Sequence, residues 1–306
     1  MSALFEDSEL CSVFPLNDSG KKWSVPRSAP IGINDSFHVI APEARQGPEV
    51  EAFAVTSAVE ERGGRPLYLE MVDPVLITTI QRIDPRCNCF VDSWETNPRV
   101  DLPAEWDSYL DQLNAKQRAR LRREVRRADE GNMTFRFLDE PEAVAESTKR
   151  SLLQRRRVWS DSGLFDDVSP SQKNPRWDEF LIDAARSLAA GGLALSGELL
   201  VEGKVVAAGL LLRREDRLLG YHRSSERSPM RFGAIFDALS IRVAIERGVR
   251  VMEFGRGAED YKYHFGVVDQ PRCNVLVGHL NAPMLGAIGT LKTPHLLRRL
   301  VPGRKD

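Results

Sequence analysis

The stretch between Gly191 and Gly248 constrains the fold of this chain more tightly than any other part of its sequence. After the break at Gly191-Gly192, three apolar runs follow one another, separated by short polar turns. The first turn, Glu202-Gly203-Lys204, contains a glycine that tolerates positive φ and therefore favours a tight hairpin. The runs are predicted to form an antiparallel meander of three strands, at 193–201, 205–212 and 217–224.

A helix, a strand, a short helix and a last strand are predicted after the meander. The segment 225–234 opens a helix with an apolar residue at every third or fourth position, and Gly248 ends it. A strand at 249–254 leads into the glycine-rich run 255–266, and the final strand covers 273–277. This order of elements narrows the fold class to α/β with a mostly antiparallel sheet.

The first part of the chain alternates short strand-like and helix-like units, which is again typical of an α/β protein. Residues 1–35 carry Asp, Ser, Gly and Pro without sustained periodicity, so we expect a loop-rich segment there. A chain of 306 residues also exceeds the usual size of one domain. The predicted division is a loop-rich segment at 1–35, a first half at 36–131, a second half at 132–280 and a C-terminal helical tail at 281–306.

A strongly basic helix at 114–130 ends the first half. Asn114 is a suitable N-cap, and seven cationic side chains stand against one acidic side chain between Lys116 and Arg127. A thin apolar side is formed by Leu113, Leu121 and Val125. The helix can therefore lie on the protein body while projecting its charge. Two interpretations stay open: a solvated helix face, or a contact with RNA or a phosphate-bearing ligand.

Overall charge and hydropathy exclude several classes of protein. The chain has 43 Lys and Arg against 44 Asp and Glu, so no overall field favours nucleic acid or an anionic membrane. The N-terminus is too polar for a signal peptide, and no apolar run approaches the roughly 20 residues that span a bilayer. We therefore expect a cytoplasmic protein without membrane insertion.

Four scattered cysteines are too few for a disulfide framework in a chain of this length. Cys87 and Cys89 lie on one face of a predicted strand, but no second cluster of metal ligands stands near them in sequence. We therefore favour buried structural thiols over a metal site, and we expect no metal.

Four stretches of the sequence resemble the CelD/BcsL-like GNAT acetyltransferases, which are associated with bacterial polysaccharide synthesis. They are the basic helix Lys116–Arg127 with Glu130-Gly131, the helix end Arg157-Val158-Trp159, the turn and strand Glu202–Ala208, and Glu253–Gly257 with Tyr261-Lys262. The resemblance implies a tandem GNAT-like fold with a degenerate first half and mixed, mostly antiparallel sheets flanked by helices. That architecture is similar to the Fem-type transferases, which take amino acids from aminoacyl-tRNA.

The resemblance implies acetyl-CoA or another acyl-CoA as the donor substrate. A helix N-terminus offers unpaired N–H groups and the positive end of a dipole, so we expect the pyrophosphate at the helix entry 228–234. The pantetheine is expected along the strand before this helix. The alternative is an ordinary capped helix. The predicted donor-binding residues are Tyr221, Arg227, Arg231, Phe232, Gly233 and Ala234.

Four residues are candidates for proton transfer or charge stabilisation. Strand alternation places Tyr221 and Arg223 on one face and His222 on the other. His222 is a candidate general base, since its ordinary pKa near 6.5 suits proton abstraction at neutral pH; a structural histidine is the alternative. Glu253, Glu259 and Lys262 cluster where GNAT substrates meet the thioester. If the segment is helical, however, Glu259 and Lys262 can simply form an ion pair.

Arg157, Trp159, Arg256 and Tyr261 are predicted to bind the acceptor substrate. The cations at 155–157 also stabilise a helix C-terminus, and an aromatic residue at position 159 is often part of a core. Three functions follow from these residues. They are an acyl-CoA-dependent acyltransferase acting on a small-molecule or saccharide acceptor, a Fem-like transferase that uses aminoacyl-tRNA, and a GNAT-like binding protein without catalysis.

Overall fold

The structure is a computed structural model that describes residues 2–6, 9–14, 16–17, 27–28, 48–162 and 175–289. The chain divides into two compact units. Unit 1 consists of Met1–Asn97 and Gln270–Asp306, and unit 2 consists of Pro98–Asp269. No helix within the described ranges is long and apolar enough to cross a membrane.

The helices and strands of the described ranges alternate along both units. In chain order they are β1 (Ser2–Glu6), β2 (Glu9–Phe14), β3 (Leu16–Asn17), β4 (Arg27–Ser28), α1 (Pro48–Glu61), β5 (Leu67–Val72), α2 (Pro74–Ile83), β6 (Cys87–Asp101), α3 (Trp106–Gln112), α4 (Ala115–Glu130), β7 (Met133–Leu138), α5 (Pro141–Ser162), α6 (Pro175–Ala190), β8 (Ala194–Val201), β9 (Lys204–Arg214), β10 (Arg217–Ser225), α7 (Phe232–Glu246), β11 (Val251–Glu253), β12 (Val268–His279) and α8 (282–289). A 3₁₀ turn, Lys262–Phe265, precedes β12.

Unit 1 is a sheet covered by two helices. β5 lies between β4, which is parallel to it, and β12, which is antiparallel. Side chains of α1 and α2, among them Val55 and Ile80, are fully buried against Leu69 of β5 and Val275 of β12. The segment predicted to be loop-rich contains four short strands, of which β1 and β2 form a separate hairpin. The predicted C-terminal helical tail begins with α8, and its residues 290–306 lie outside the described ranges.

Unit 2 contains a sheet in the order β6, β11, β10, β9, β8, β7. All neighbours are antiparallel except β10 and β11. The predicted meander is confirmed as β8, β9 and β10. Its first turn has φ angles of 49° at Glu202 and 80° at Gly203, the two positive values that a type I′ hairpin needs. The predicted fold class, α/β with a mostly antiparallel sheet flanked by helices, is confirmed.

The meander strands are buried on both faces, which explains their nearly continuous apolar sequence. On one face, Phe236 of α7 packs against the cluster that contains Leu199 and Ala207. On the other face, Leu152 of α5 packs against a cluster with Leu210 and residues of α6. A side chain on these strands therefore points toward α7 or toward α5. This choice decides which groups reach the candidate site.

The basic helix α4 has the capped start that its sequence predicts. The Asn114 Oδ1 atom accepts a hydrogen bond from the Gln117 backbone amide, and the Asn114 backbone amide donates one to Gln117 Oε1. Leu121 is buried, and Glu124, the one acid among the cations, is also buried, 3.1 Å from Arg127. The helix lies in unit 2, although the division made from sequence assigned it to the first half.

Candidate active site

The parallel strands β10 and β11 separate after three residue pairs. Their pairing ends at Leu219 and Glu253, where β11 stops, while β10 continues to Ser225. A bulge interrupts the pairing of β10 with β9 between Gly220 and His222. Strands that diverge in this way expose the main chain of one of them, here β10, to a ligand. The two strands thus part in the region where the sequence predicts the donor and the thioester, and the site itself stays a prediction.

A cavity of about 330 Å³ lies beside the continuation of β10, at the N-terminus of α7. Side chains from α4, β10, α7 and the 3₁₀ turn converge on it. Its lining residues are Arg120, Arg223, Ser225, Arg231, Gly233, Ala234, Asp237, Tyr261, His264 and Phe265. Of the sequence-predicted site residues, it brings together Arg231, Gly233, Ala234 and Tyr261.

A buried ion pair forms the floor of this cavity. An Arg223 Nη1 atom donates to Asp237 Oδ2 over 2.9 Å and to the Gly233 carbonyl over 2.8 Å. The guanidinium carbon of Arg223 also lies 5.1 Å from the centre of the Tyr261 ring, a cation–π contact. Burial raises the pKa of Asp237 to about 6, although Arg223 opposes the shift. These contacts hold Arg223 in one position against α7.

Glycine is required at position 233 because Arg223 approaches so closely. A Cβ atom built there would lie 2.7 Å from Arg223 Nη1 and 3.1 Å from Ser225 Oγ. A larger residue would therefore have to displace the buried guanidinium. Gly233 was assigned to phosphate binding from sequence, and its contacts add a packing reason for the same residue.

The rim of the cavity carries cations that their neighbours only partly neutralise. The pKa of Arg120 is lowered by burial and by the nearby positive charge of Arg231. The Nη1 atom of Arg231 lies 3.9 Å from Glu124, beyond a good hydrogen bond. Burial, then Arg120, lowers the pKa of His264 below 6.5, so its imidazole is neutral at pH 7. The start of α7 adds amide groups of the kind that a helix N-terminus leaves without intrahelical partners, although the Ala234 amide donates to the Arg231 carbonyl over 2.9 Å. The cavity therefore suits an anion.

Tyr261 is the titratable hydroxyl of the cavity. Burial raises its pKa above 10, while Arg223 acts in the opposite direction. The hydroxyl is thus protonated at neutral pH. It can donate a proton or a hydrogen bond, and it cannot serve as a resting-state base.

Tyr221 and His222 both face away from this cavity, His222 by ordinary strand alternation and Tyr221 because of the bulge. Tyr221 packs with the cluster between α5 and α6, and Arg155 donates to His222 Nδ1 over 2.8 Å. The expectation that Tyr221 and Arg223 share a face is wrong, since one inserted residue reverses the alternation. Burial lowers the pKa of His222 well below its usual range, and its Nε2 atom meets no hydrogen-bond partner among the described residues.

The Glu259 and Lys262 side chains form the ion pair that the sequence allowed as the alternative. Lys262 is buried, and its Nζ atom lies 2.8 Å from Glu259 Oε2. The same Nζ donates to the carbonyls of residues 255, 256 and 257 over 2.8–3.1 Å. The Glu259 side chain is 57% exposed. Neither residue lines the cavity, so their catalytic role stays a prediction.

The other predicted residues lie apart from the cavity lining. Glu253 is buried, with a carboxylate oxygen 3.4 Å from Arg217. Phe232 packs into the apolar cluster beneath α7. The exposed residues are Arg157, Arg227 and Arg256. Trp159 belongs to α5, and its side chain lies outside the described part of the structure.

Sequence reasoning missed Arg223, Asp237, His264 and Phe265, and it treated Arg120 only as part of the basic helix. One signal could have found Asp237: it is an acid within an otherwise apolar stretch of α7. A buried acid needs a cation, and Arg223 is the nearest arginine in the preceding strand. No comparable signal marks His264.

The family comparison agrees with this geometry. Residues 115–263 match the family model described as acetyltransferase (GNAT) domain. This segment is a GNAT-type domain. No curated protein matches the sequence at a significant level. The GNAT type is therefore shown, while the finer resemblance to CelD/BcsL-like proteins stays a prediction.

Two solved structures resemble the chain over most of its length. FemX superposes with a TM-score of 0.61 at 10% identity, covering 94% of this chain and 89% of FemX. A conserved protein of unknown function from Bacteroides thetaiotaomicron has a TM-score of 0.53 at 13% identity, covering 79% and 77% of the two chains. At these identities the likeness concerns the fold alone.

Proposed function

We propose that this protein is an acyltransferase that moves an acyl group from acyl-CoA to an amine or hydroxyl of a small-molecule or saccharide acceptor. One observation carries the proposal. The cationic cavity lies at the N-terminus of α7, beside the part of β10 that continues after its pairing with β11 has ended. An acyl-CoA needs these two features together, because its phosphates seek cations and its amide-containing arm seeks an unpaired strand edge.

The phosphate end of the donor would meet the rim of the cavity. Arg231 lies close enough to Arg120 for the two positive charges to repel each other. A bound pyrophosphate would offset the repulsion between these two cations and accept hydrogen bonds from amides at the start of α7. Arg223 is committed to Asp237 and contributes less to phosphate binding than its charge implies.

The thioester end would meet Tyr261. In direct transfer, the acceptor nitrogen or oxygen attacks the thioester carbonyl carbon, the carbon–sulfur bond breaks, and the CoA sulfur leaves as a thiolate. The protonated Tyr261 hydroxyl can supply the proton that this sulfur takes up, and the acceptor's own proton passes to solvent or to a base. No covalent enzyme intermediate is needed.

Acetyl-CoA binding tests the proposal most directly. At a concentration 100 times its Kd, a ligand stabilises the folded state by about 2.7 kcal/mol. For a chain of this size we expect a rise in melting temperature of about 5 °C. Desulfo-CoA, which keeps the phosphates and lacks the thiol, should give a similar rise, and pantetheine should give little. An unchanged melting temperature with both nucleotides would contradict an acyl-CoA donor.

A second candidate is a Fem-like transferase that uses aminoacyl-tRNA. The exposed face of α4 favours it, since Arg122, Arg123 and Arg126 point into solvent. The structural likeness to FemX is compatible with it at the level of the fold. In this hypothesis the α4 arginines contact the RNA backbone and the cavity receives the end of the acceptor stem.

Replacing the arginines at 122, 123, 126 and 127 by glutamine separates the two candidates. The tRNA hypothesis predicts that the parent binds RNA. In the variant, the slope of log K against log salt concentration should fall in magnitude by about 0.7–0.9 for each phosphate contact that is lost. The acyl-CoA hypothesis predicts an unchanged acetyl-CoA melting shift in the same variant. A parent protein that has no affinity for tRNA at low salt would eliminate the tRNA candidate.

A further inference from the structure

Unit 1 contains a second cluster of reactive side chains, unrelated to the cavity of unit 2. Asp84 follows α2, Cys87 begins β6, and His279 ends β12. One ligating atom from each lies within 4.8 Å of the other two. Glu60, near the end of α1, reaches the same place, with its Oε2 atom 3.7 Å from His279 Nε2.

Two of the distances in this cluster match the edges of a metal coordination tetrahedron. Cys87 Sγ lies 3.6 Å from Asp84 Oδ2, and His279 Nε2 lies 3.4 Å from the same oxygen. Zn²⁺ bonds of about 2.0–2.1 Å to N and O and about 2.3 Å to S give tetrahedral edges of about 3.3 Å for N···O and about 3.6 Å for S···O. The N···O separation exceeds that of a good hydrogen bond, while both separations fit four atoms around one ion.

The backbone fixes the histidine in the orientation that such a site needs. The His279 amide donates to the Gly64 carbonyl over 3.1 Å, and Gly64 has a φ of 77°. A Cβ atom at Gly64 would lie 2.5 Å from His279 Nδ1. Only glycine therefore lets the imidazole lie flat against this turn, with Nε2 directed at Asp84 and Glu60.

An arginine already balances the negative charge of the cluster. Arg86 Nε donates to Asp84 Oδ1 over 3.0 Å, and its Nη2 atom lies 3.1 Å from Glu60 Oε2. Its hydrogen bonds hold the pKa of Asp84 at about 2. The same Nη2 atom donates to Asp84 Oδ2 over 3.2 Å, so Arg86 occupies the carboxylates from which a metal would bind. Because the Arg86 side chain is 65% exposed, its whole guanidinium can swing into solvent when a metal takes its place.

We propose that Asp84, Cys87 and His279 form a structural binding site for Zn²⁺ or a similar divalent metal in unit 1, with the fourth position filled by water or by a movement of Glu60 toward the site. One thiolate, one imidazole and one carboxylate are a donor set that suits zinc. The metal would join the ends of α2, β6 and β12. The Cys87 S–H bond breaks as the sulfur–metal bond forms, and the proton passes to the buffer.

Calorimetric titration of the full chain, purified without a histidine tag, tests the site with Zn²⁺ as the probe. We expect a stoichiometry of about one metal per chain and release of about one proton, measured in buffers of different ionisation heat. Cys87→Ala should weaken binding by more than about 100-fold, beyond the 10–100-fold effect of groups that only border a metal site. Cys89→Ala is the matched control, since it removes the other thiol of β6 and leaves the cluster intact.

Asp84→Asn is a second variant that preserves side-chain size, and it should weaken Zn²⁺ binding in the same way. Circular dichroism checks that each variant is folded. Co²⁺ binding supplies an independent signature, because a cobalt–thiolate charge-transfer band should appear in the parent and in Cys89→Ala and be absent in Cys87→Ala. Absence of Zn²⁺ binding by the parent would overturn the proposal, and so would equal affinities of Cys87→Ala and Cys89→Ala.

Discussion

Tyr261→Phe is expected to lower turnover with acetyl-CoA by about 10²–10⁴, the usual cost of losing a general acid. The Tyr261 hydroxyl is protonated at neutral pH, because burial raises its pKa. Removing it leaves the phosphate-binding rim unchanged, so the Kd of acetyl-CoA should stay within about twofold. The measurement is the rate of CoA release with a panel of amine and hydroxyl acceptors, together with calorimetry on the donor.

Two neighbouring variants make this test specific. Tyr263→Phe removes a hydroxyl from the same turn, where it donates to Asp269 over 2.8 Å outside the cavity lining. It should leave turnover unchanged. The sequence-based hypothesis predicts a loss of about 10²–10⁴ for Glu259→Gln. The exposed, Lys262-bound carboxylate instead favours a small effect on turnover. Equal rates for Tyr261→Phe and the parent would remove Tyr261 from the mechanism.

Arg231→Glu is expected to weaken acetyl-CoA binding by roughly 10- to 150-fold. A hydrogen bond to a charged group contributes about 1.5–3 kcal/mol, which corresponds to that range of affinities. Arg231 lies at the entry of α7 on the cavity rim, where its replacement removes a cation and adds an anion. Calorimetry with acetyl-CoA at low and moderate salt measures the loss and its electrostatic origin.

The control for this variant is Arg157→Glu, the same charge reversal on the exposed surface of α5. It should bind acetyl-CoA like the parent. Arg231 lies 3.9 Å from the buried Glu124, so Arg231→Glu places two acids together. Arg231→Gln avoids this and should be measured beside Arg231→Glu; we expect it to weaken acetyl-CoA binding less. Equal affinities of the parent, Arg231→Glu and Arg157→Glu would remove the donor site from α7.

The order of elements in unit 2 could be predicted from the sequence because local rules determine it. Apolar periodicity separates the strands of the meander from α7. Turn chemistry locates the hairpin at Gly203, and the Asn114 cap locates the start of α4. Each of these signals involves only a few neighbouring residues, so it can be recognised in the sequence without a structure. The GNAT type is implied by the resemblance of four local stretches, and the family match at residues 115–263 supports it, while the anion site at the entry of α7 stays a prediction.

The composition of the cavity depended on tertiary structure. Arg120, Arg223, Asp237 and His264 come from four separate elements, and their convergence follows from how α4, β10, α7 and the 3₁₀ turn pack. The bulge in β10 could not be predicted from the sequence either, because a single inserted residue changes the face on which a side chain lies without changing the apolar pattern. Tyr221 therefore packs in the cluster between α5 and α6, although alternation alone placed it on the same face as Arg223.

Unit 1 gives the clearest division between what sequence and structure determine. The sequence identifies Cys87 as a buried thiol on a strand, and burial of an apolar residue needs only local pattern. The metal-like cluster needs His279, which lies 195 positions after Asp84. Their contact arises because β12 returns to pair with β5 in the same sheet. Pairing between distant strands is set by the fit of whole surfaces, so only the folded chain decides which ligands meet.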